Sequence, residues 1–245
     1  MPKIKKQYSQ GKMKVLVITS FNKKLYDDYA HRFITTYNWP FDLKVYTESI
    51  FNVQNIDVKE LNKDCQNFVQ RNKDKFKGDF IKDYWKDGVR FCYKVYAVCQ
   101  AAQLDYDILI WVDADSVFYK PLTLDFITKQ LYNENKMMTY LGRGDHYSEC
   151  GFLLWNIKHK DSQDYFKEMK KMYDEDLIYN EKEQHDSYIW DIVRKKFEDN
   201  RGTINIDIGD KKIGHVQSRS ILGTFYDHTK GPKRKKLGKS PEARI

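Results

Sequence analysis

The chain has 245 residues, of which 41% are hydrophobic and 32% are charged, a length that suits one sizeable domain. The mean hydropathy is −0.76, and no stretch approaches the roughly 20 apolar residues of a bilayer-spanning helix, which excludes a membrane span. The formal net charge of +8 comes without a zinc-finger, helix-turn-helix or RNA-recognition signature, so a small phosphate-bearing ligand is favoured over nucleic acid.

Two further features concern the cellular compartment. The basic N-terminus has no apolar stretch behind it, so we do not expect a secretory signal. The four cysteines have no CxxC spacing, and we expect reduced, buried thiols. A cytoplasmic location is therefore expected, and peripheral membrane association stays open.

The predicted elements follow from hydrophobic periodicity. In chain order they are a strand at 14–20, a helix at 27–37, a strand at 42–47, a polar helix at 57–76, an aromatic-rich loop at 78–88, a helix at 91–104, a strand at 108–112, a helix at 124–132, strands at 137–141 and 152–155, helices at 161–173 and 186–196, and a strand at 204–208. The early strand, helix and strand form a βαβ unit, which predicts a mostly parallel sheet. We expect a disordered basic lead-in at 1–11, a single domain at 12–236 and a flexible basic tail at 237–245.

Two aspartates follow the predicted strand at 108–112, whose apolar side chains are typical of a strand buried on both faces. Asp113 and Asp115 stand one residue apart where this strand ends. Because a buried, unpaired carboxylate is costly, the pair implies a cation or a catalytic task beside it. Ligands in open α/β sheets bind beyond the carboxyl ends of strands, so the pair predicts a site, with a metal ion preferred.

Several hypotheses account for this pair. The aspartates are surface groups of a βα loop, one of them capping a helix. Alternatively, Asp113-Ala114-Asp115-Ser116-Val117 resembles the signature of haloacid-dehalogenase-type phosphatases, in which Asp113 is the nucleophile. In a third hypothesis the pair holds a divalent cation in a nucleotide-sugar glycosyltransferase of the GT-A fold. A basic nucleic-acid-binding module is a further alternative, which leaves the pair unexplained.

Two later segments favour the third hypothesis. Gly151 and Asn156 keep the spacing of the Asn-Ala-Gly-Val-x-x-x-Asn segment of glycogenin-like and bacterial lipopolysaccharide galactosyl- and glucosyltransferases, with Glu149 in place of the first Asn. The string Glu183-Gln184-His185-Asp186 resembles the Asp-Gln-Asp of the same family, with Asp186 on its last aspartate.

The C-terminal region carries a further motif of that family. His228, Gly231 and Arg234 keep the spacing of its His-x-x-Gly-x-x-Lys-Pro-Trp. In the family the histidine is the third protein ligand of the metal, and the glycine and lysine meet the diphosphate. Order and spacing of the motifs cover residues 14–236.

This resemblance implies a fold and an activity. The fold is α/β: a single GT-A-like domain with a mixed, mostly parallel central sheet flanked by helices and a Rossmann-like nucleotide-binding half. The activity is transfer of a sugar, a hexose by this resemblance, from a nucleoside diphosphate sugar to a glycan or other hydroxyl acceptor. UDP is the favoured nucleotide and retention the favoured stereochemistry, with Mn²⁺ or Mg²⁺ as the cofactor.

The resemblance, together with the position of each residue in the predicted elements, points to roles for individual residues. The implied metal ligands are Asp113, Asp115 and His228, with His215 as the rival third ligand. The implied donor-binding residues are Thr19, Lys94, Asp113, Lys230, Gly231 and Arg234. The candidate catalytic residues are Asp186, placed near the anomeric carbon, and Asp145 as the second choice.

Overall fold

A seven-stranded sheet with strand order β3-β2-β1-β4-β7-β6-β8 forms the centre of the molecule. The computed structural model describes residues 13–53 and 56–243, so the predicted lead-in at 1–11 lies outside the described residues. The strands are β1 (Val15–Ser20), β2 (Asp42–Thr47), β3 (Asp57–Glu60), β4 (Ile108–Val112), β5 (Ser116–Phe118), β6 (Met138–Arg143), β7 (His146–Asn156), β8 (Ile206–Asp207) and β9 (Tyr226–His228). Strands β5 and β9 pair separately as a two-stranded ribbon.

Six of the seven strands of the central sheet run in one direction. β1 is parallel to β2 and β4, β2 is parallel to β3, and β6 is parallel to β8. β7 is antiparallel to both of its neighbours, β4 and β6. The expected mixed, mostly parallel α/β sheet is therefore confirmed.

Helices cover the two faces of this sheet. They are α1 (Lys23–Leu25), α2 (His31–Thr36), α3 (Lys63–Asn72), α4 (Gly88–Ala101), α5 (Leu124–Phe126), α6 (Ser162–Asp174), α7 (Asp186–Arg201), α8 (Val216–Arg219) and α9 (Pro232–Leu237). π-helical turns at Tyr26–Ala30 and Ile127–Leu131 extend α1 and α5, and 3₁₀ turns lie at Tyr84–Lys86, Leu177–Asn180 and Ile221–Thr224. Asn62 and Asp87 accept hydrogen bonds from backbone N–H groups in the first turns of α3 and α4, which fixes where these helices begin.

The alternation of side chains along β1 builds the core on both faces. Leu16 and Ile18 enter one hydrophobic cluster, which contains apolar residues of α3, α4, α6 and α7. Val15 and Val17 enter a second cluster on the opposite face, together with Phe33 of α2. All five residues of β4 are buried, as the apolar run predicted.

Two of the predicted elements need correction. The helix predicted at 57–76 is wrong at its start, because Asp57–Glu60 forms β3, and α3 begins only at Lys63. β3 is an edge strand with mostly exposed side chains, so it lacks the apolar alternation that marks a strand in sequence. The strand predicted at 152–155 begins earlier, at His146, because β7 continues beyond β4 while pairing with β6.

Two expectations about the whole chain also have an outcome. All four cysteines are free and buried, as predicted. Among the residues that the structure describes, no helix has the length and apolar character needed to cross a bilayer.

Candidate metal and nucleotide site

Three carboxylates meet at the carboxyl end of β4. Asp113 and Asp115 follow directly after this strand, as the sequence predicted. The reversed strand β7 brings the third, because Val112 lies opposite Phe152 and β7 extends past that point. The Asp113 N–H donates to the Gly151 carbonyl at 2.9 Å, and Glu149 lies two residues further along β7.

The ribbon of β5 and β9 brings His228 to these carboxylates. His228 lies opposite Ser116 in the ribbon, the residue that follows Asp115. Its Nε2 atom is 3.0 Å from Asp115 Oδ1 and 3.5 Å from Asp113 Oδ2. Its Nδ1 atom, 3.9 Å from Glu149 Oε1, has no hydrogen-bond partner among the described residues.

The cluster has the composition of a site for a divalent cation. One ligand atom from each of Asp113, Glu149 and His228 lies within 4.8 Å of the other two. Carboxylate oxygens with one imidazole nitrogen suit Mn²⁺ and Mg²⁺, which prefer oxygen-rich ligand sets. Asp115 is not one of these three residues, but its Oδ1 atom is 3.0 Å from His228 Nε2.

Gly151 makes room for the imidazole. A Cβ at this position would lie 2.5 Å from His228 Nδ1 and 2.6 Å from its Cε1. The glycine at position 151 that the sequence highlighted therefore has a local cause. No side chain fits between β7 and the histidine.

Lys94 of α4 neutralises one side of the cluster. Its Nζ atom is 2.8 Å from Asp113 Oδ1 and 2.6 Å from Asp186 Oδ2, and it donates to the Cys150 carbonyl at 3.0 Å. The Trp111 indole N–H also donates to Asp113 Oδ1, at 2.7 Å. These contacts fix the orientation of the Asp113 carboxylate and connect it to Asp186 at the start of α7.

The segment after β9 supplies two more lysines. Lys230 Nζ is 2.8 Å from Glu149 Oε2, and Lys235 Nζ is 3.1 Å from Asp115 Oδ2. Gly231 between them has φ +87°, which favours glycine and lets the chain turn into α9. Three lysines thus face the carboxylates from three directions.

The ionisation of the cluster follows from these pairs. Burial raises the pKa of Asp115, but His228 and Lys235 outweigh it, and the net pKa lies well below the usual range. Burial also raises the pKa of Glu149, but the nearby Lys230 outweighs this effect and lowers the pKa to about 2. Burial lowers the pKa of His228, yet the Asp115 carboxylate raises it above its ordinary value. Asp115 and Glu149 are therefore ionised carboxylates stabilised by neighbouring cations.

The structure brings most of the predicted residues together. Asp113, Asp115, His228, Lys94, Lys230 and Asp186 form the connected set described above. Thr19 is buried near the carboxyl end of β1, beside the strand that leads to Asp113, and its hydroxyl has no hydrogen-bond partner among the described residues.

Three other predicted residues lie apart from this set. Arg234 pairs with Glu242 at 2.5 Å. Asp145 is exposed in the turn between β6 and β7. His215 contacts Asp227 and Ser240 through its Nε2 atom, although its ring centroid is only 6.0 Å from that of His228.

Two members of the cluster were missed. In the sequence Glu149 stands out only as a replacement for the family's asparagine. The signal that could have identified it is that a carboxylate occurs in the same segment as Gly151 and Asn156. Lys235 was hidden in a run of basic residues, where spacing favoured its neighbour Arg234. Which lysine reaches the cluster depends on the turn at Gly231 and the rotation of α9.

The comparisons with known proteins concern the fold. No family model and no curated protein matches the sequence. Over 92% of its length the chain is similar to a glycosyltransferase involved in glycosylation of the major capsid of PBCV-1, with 13% identity, a TM-score of 0.45 and 98% of that chain covered. It is also similar to the galactosyltransferase LgtC solved with donor and acceptor sugar analogues, with 11% identity, a TM-score of 0.44 and coverage of 71% of this chain and 68% of LgtC. It is similar as well to mouse xyloside xylosyltransferase 1, with 9% identity, a TM-score of 0.44 and coverage of 79% of this chain and 84% of that chain.

Proposed function

We propose that the protein is a metal-dependent glycosyltransferase that moves a sugar from a nucleoside diphosphate sugar to a hydroxyl acceptor. The observation that carries this proposal is the cluster of Asp113, Asp115, Glu149 and His228 at the carboxyl edge of the sheet. Three lysines, Lys94, Lys230 and Lys235, form ion pairs with its carboxylates. A site with both anionic and cationic groups suits a ligand that arrives as a metal ion with a diphosphate.

The residues present fit a divalent cation. Asp113, Asp115, Glu149 and His228 would hold it through oxygen atoms and one nitrogen, and we propose Mn²⁺ or Mg²⁺. The Nε2 atom of buried His228 faces both aspartates, so it is the nitrogen placed to share an ion with them. When bound, the ion supplies charge neutralisation for the departing diphosphate.

The lysines have a separate task. Lys230 and Lys235 now pair with Glu149 and Asp115, which a cation would otherwise neutralise. We propose that their ammonium groups bind the phosphates of the donor. The buried hydroxyl of Thr19 lacks a partner, and such a group costs about 1–3 kcal/mol; we propose that it lines the nucleoside pocket, most simply for UDP.

We assign Asp186 to the side of the site where the sugar is transferred. It is the first residue of α7, its side chain is 8% exposed, and Lys94 connects it to Asp113. Burial lowers the pKa of the Lys94 ammonium, but the Asp113 and Asp186 carboxylates raise it above its usual value, so Lys94 stays charged between them. Transfer of a hexose with retention remains a proposal that rests on the resemblance of the motifs, as does any role for Asp145.

The phosphatase hypothesis makes a different demand on Asp113. A nucleophilic carboxylate needs a free oxygen, and Asp113 Oδ1 already accepts from Trp111 and Lys94. His228 lies 3.5 Å from Oδ2. Phosphatase activity on p-nitrophenyl phosphate with Mg²⁺ that is lost in Asp113→Asn would favour that hypothesis.

A thermal-shift series tests the proposal. UDP, GDP, CDP and ADP are each added with Mn²⁺, with Mg²⁺ and with EDTA. A nucleotide at about 100 times its Kd should stabilise the protein by about 2.7 kcal/mol, and only with the metal present. UDP-sugars are then assayed for metal-dependent release of UDP. Stabilisation by no nucleotide, or equal stabilisation in EDTA, would contradict the proposal.

A further inference from the structure

A cluster of aromatic rings lies beside Asp186 and has no part in the proposed donor site. It is formed by residues from three distant segments of the chain, namely Tyr84, Trp85, Phe91, Tyr147, His185 and Tyr188. The centroid of the His185 ring is 4.4 Å from that of Tyr147, 6.3 Å from Tyr84 and 6.1 Å from Phe91. His185 immediately precedes Asp186, so the rings adjoin the proposed transfer site.

Both connections between the rings and the site are short. Tyr147 lies two residues before Glu149 on β7. The loop carrying Tyr84 is tied to the start of α7, because the Gln184 N–H donates to the Trp85 carbonyl at 2.7 Å. The rings are thus held by the same two elements that hold Glu149 and Asp186.

The cluster is accessible from solvent. Tyr84 is 38% exposed, although its ring packs against those of Trp85 and Phe91. Tyr84 is therefore not a residue of the hydrophobic core. His185 below it is buried and caps α7, which makes the support of the Tyr84 ring rigid.

Polar groups adjoin the rings. The Arg143 guanidinium lies 4.7 Å from the centroid of the Tyr147 ring. The Glu183 carboxylate lies 2.8 Å from His185 Nε2, and its side chain is 21% exposed.

We infer that this aromatic cluster binds the acceptor of the reaction and that the acceptor is a carbohydrate. A sugar ring has an apolar face of C–H groups, which packs on the electron-rich face of an aromatic ring. Its hydroxyl groups need hydrogen-bond partners, and the partly exposed Glu183 carboxylate beside His185 offers an acceptor. Tyr84 is the stacking residue, and Tyr147 and His185 position it. This inference rests on the proposed glycosyltransferase function.

The test uses fluorescently labelled protein on an array of defined oligosaccharides, with Mn²⁺ and UDP present. The wild-type protein should bind at least one class of carbohydrate. For a bound oligosaccharide, calorimetry should show that Tyr84→Ala weakens binding roughly tenfold, the loss of one stacking contact plus its buried area. Tyr84→Phe should retain most of the affinity because it keeps the ring.

Phe80→Ala is the matched control, since Phe80 is an aromatic residue of the same loop that is 68% exposed and lies outside the cluster. It should bind the oligosaccharide as the wild type does. The Kd for UDP with Mn²⁺, measured on every variant, shows whether the donor site is intact. If UDP binds but no carbohydrate does, or if Tyr84→Ala binds as tightly as Phe80→Ala, the acceptor site is wrong and the donor site stands. If UDP does not bind to the wild-type protein, the proposed function fails as well.

Discussion

His228 and Asp115 are joined by a contact of 3.0 Å between Nε2 and Oδ1 although they lie in distant parts of the sequence. The β5–β9 ribbon creates this contact by placing His228 opposite Ser116. The ribbon also fixes the chain that follows, since the Thr229 N–H and hydroxyl both donate to the Asp115 carbonyl, at 2.8 and 2.6 Å. The aspartates and the basic C-terminal segment therefore form one unit.

Lys94→Ala should destabilise the protein strongly. The substitution leaves the Asp113 and Asp186 carboxylates without their shared cation in a largely buried site. Removing one partner of a buried ion pair costs about 3–5 kcal/mol in free energy of unfolding. Urea unfolding measures this. Lys129→Ala is the control, because its pair with Asp125 is exposed and should contribute less than about 1 kcal/mol. Equal losses in the two variants would show that the Lys94 contacts do not hold the site.

Gly151→Ala should weaken the binding of Mn²⁺. The added methyl group would lie 2.5 Å from His228 Nδ1, so the imidazole must shift from its place beside the carboxylates. Gly202→Ala is a suitable comparison. It has open space but φ +62°, so it should cost about 1 kcal/mol of stability without any change in Mn²⁺ affinity. Unaltered Mn²⁺ affinity in Gly151→Ala would argue against His228 as a ligand.

Lys235→Ala and Arg234→Ala distinguish the structure from the sequence motif. Lys235 contacts Asp115, whereas Arg234 pairs with Glu242. Both substitutions remove one positive charge from adjacent positions. We expect Lys235→Ala to raise the Kd for UDP with Mn²⁺ about tenfold, as for the loss of a charged hydrogen bond, and Arg234→Ala to change it much less. The reverse order would restore the assignment that the motif suggested.

Much of the fold could be predicted because the strong signals are local. The all-apolar run of β4 identified a buried strand, and the aspartates after it identified the edge where the site lies. The polar edge strand β3 could not be recognised, since its stability comes from pairing with β2 rather than from its own side chains.

The site was predictable only in part, for a physical reason. Asp113 and Asp115 are adjacent to their strand, so one segment contains the whole signal. Glu149 and Lys235 join them through the reversed direction of β7 and the turn at Gly231. These are properties of the assembled sheet, and a single segment does not contain them.

Asp176→Asn should reduce stability in a pH-dependent way. Burial raises the pKa of Asp176, but hydrogen bonds, the one from Arg71 being the largest, lower it to about 2. A lowered carboxyl pKa stabilises the fold above the ordinary value of 3.8, and this contribution is lost as the pH falls towards 2. Asparagine tolerates the φ of 58°.

We therefore expect Asp176→Asn to lose about 1–2 kcal/mol at pH 7, allowing for solvent screening of its partly exposed pairs. The difference from the wild type should shrink below pH 4. Urea unfolding at pH 7, 4 and 3 measures it. A constant difference across this range would mean that charge is not the cause.

The most direct test of the account is the affinity for Mn²⁺ in the presence of UDP, measured by calorimetry for the wild type and four variants. His228→Ala and Asp115→Ala should each weaken binding at least about tenfold, one lost ligand being worth that much. The double variant should be hardly weaker than Asp115→Ala alone, since the two groups act on one ion. His215→Ala should be mild, because His215 contacts Asp227 and Ser240 instead. Unchanged affinity in His228→Ala with a large loss in His215→Ala would contradict the assignment, and Mn²⁺ binding that all four variants share with the wild type would contradict the site itself.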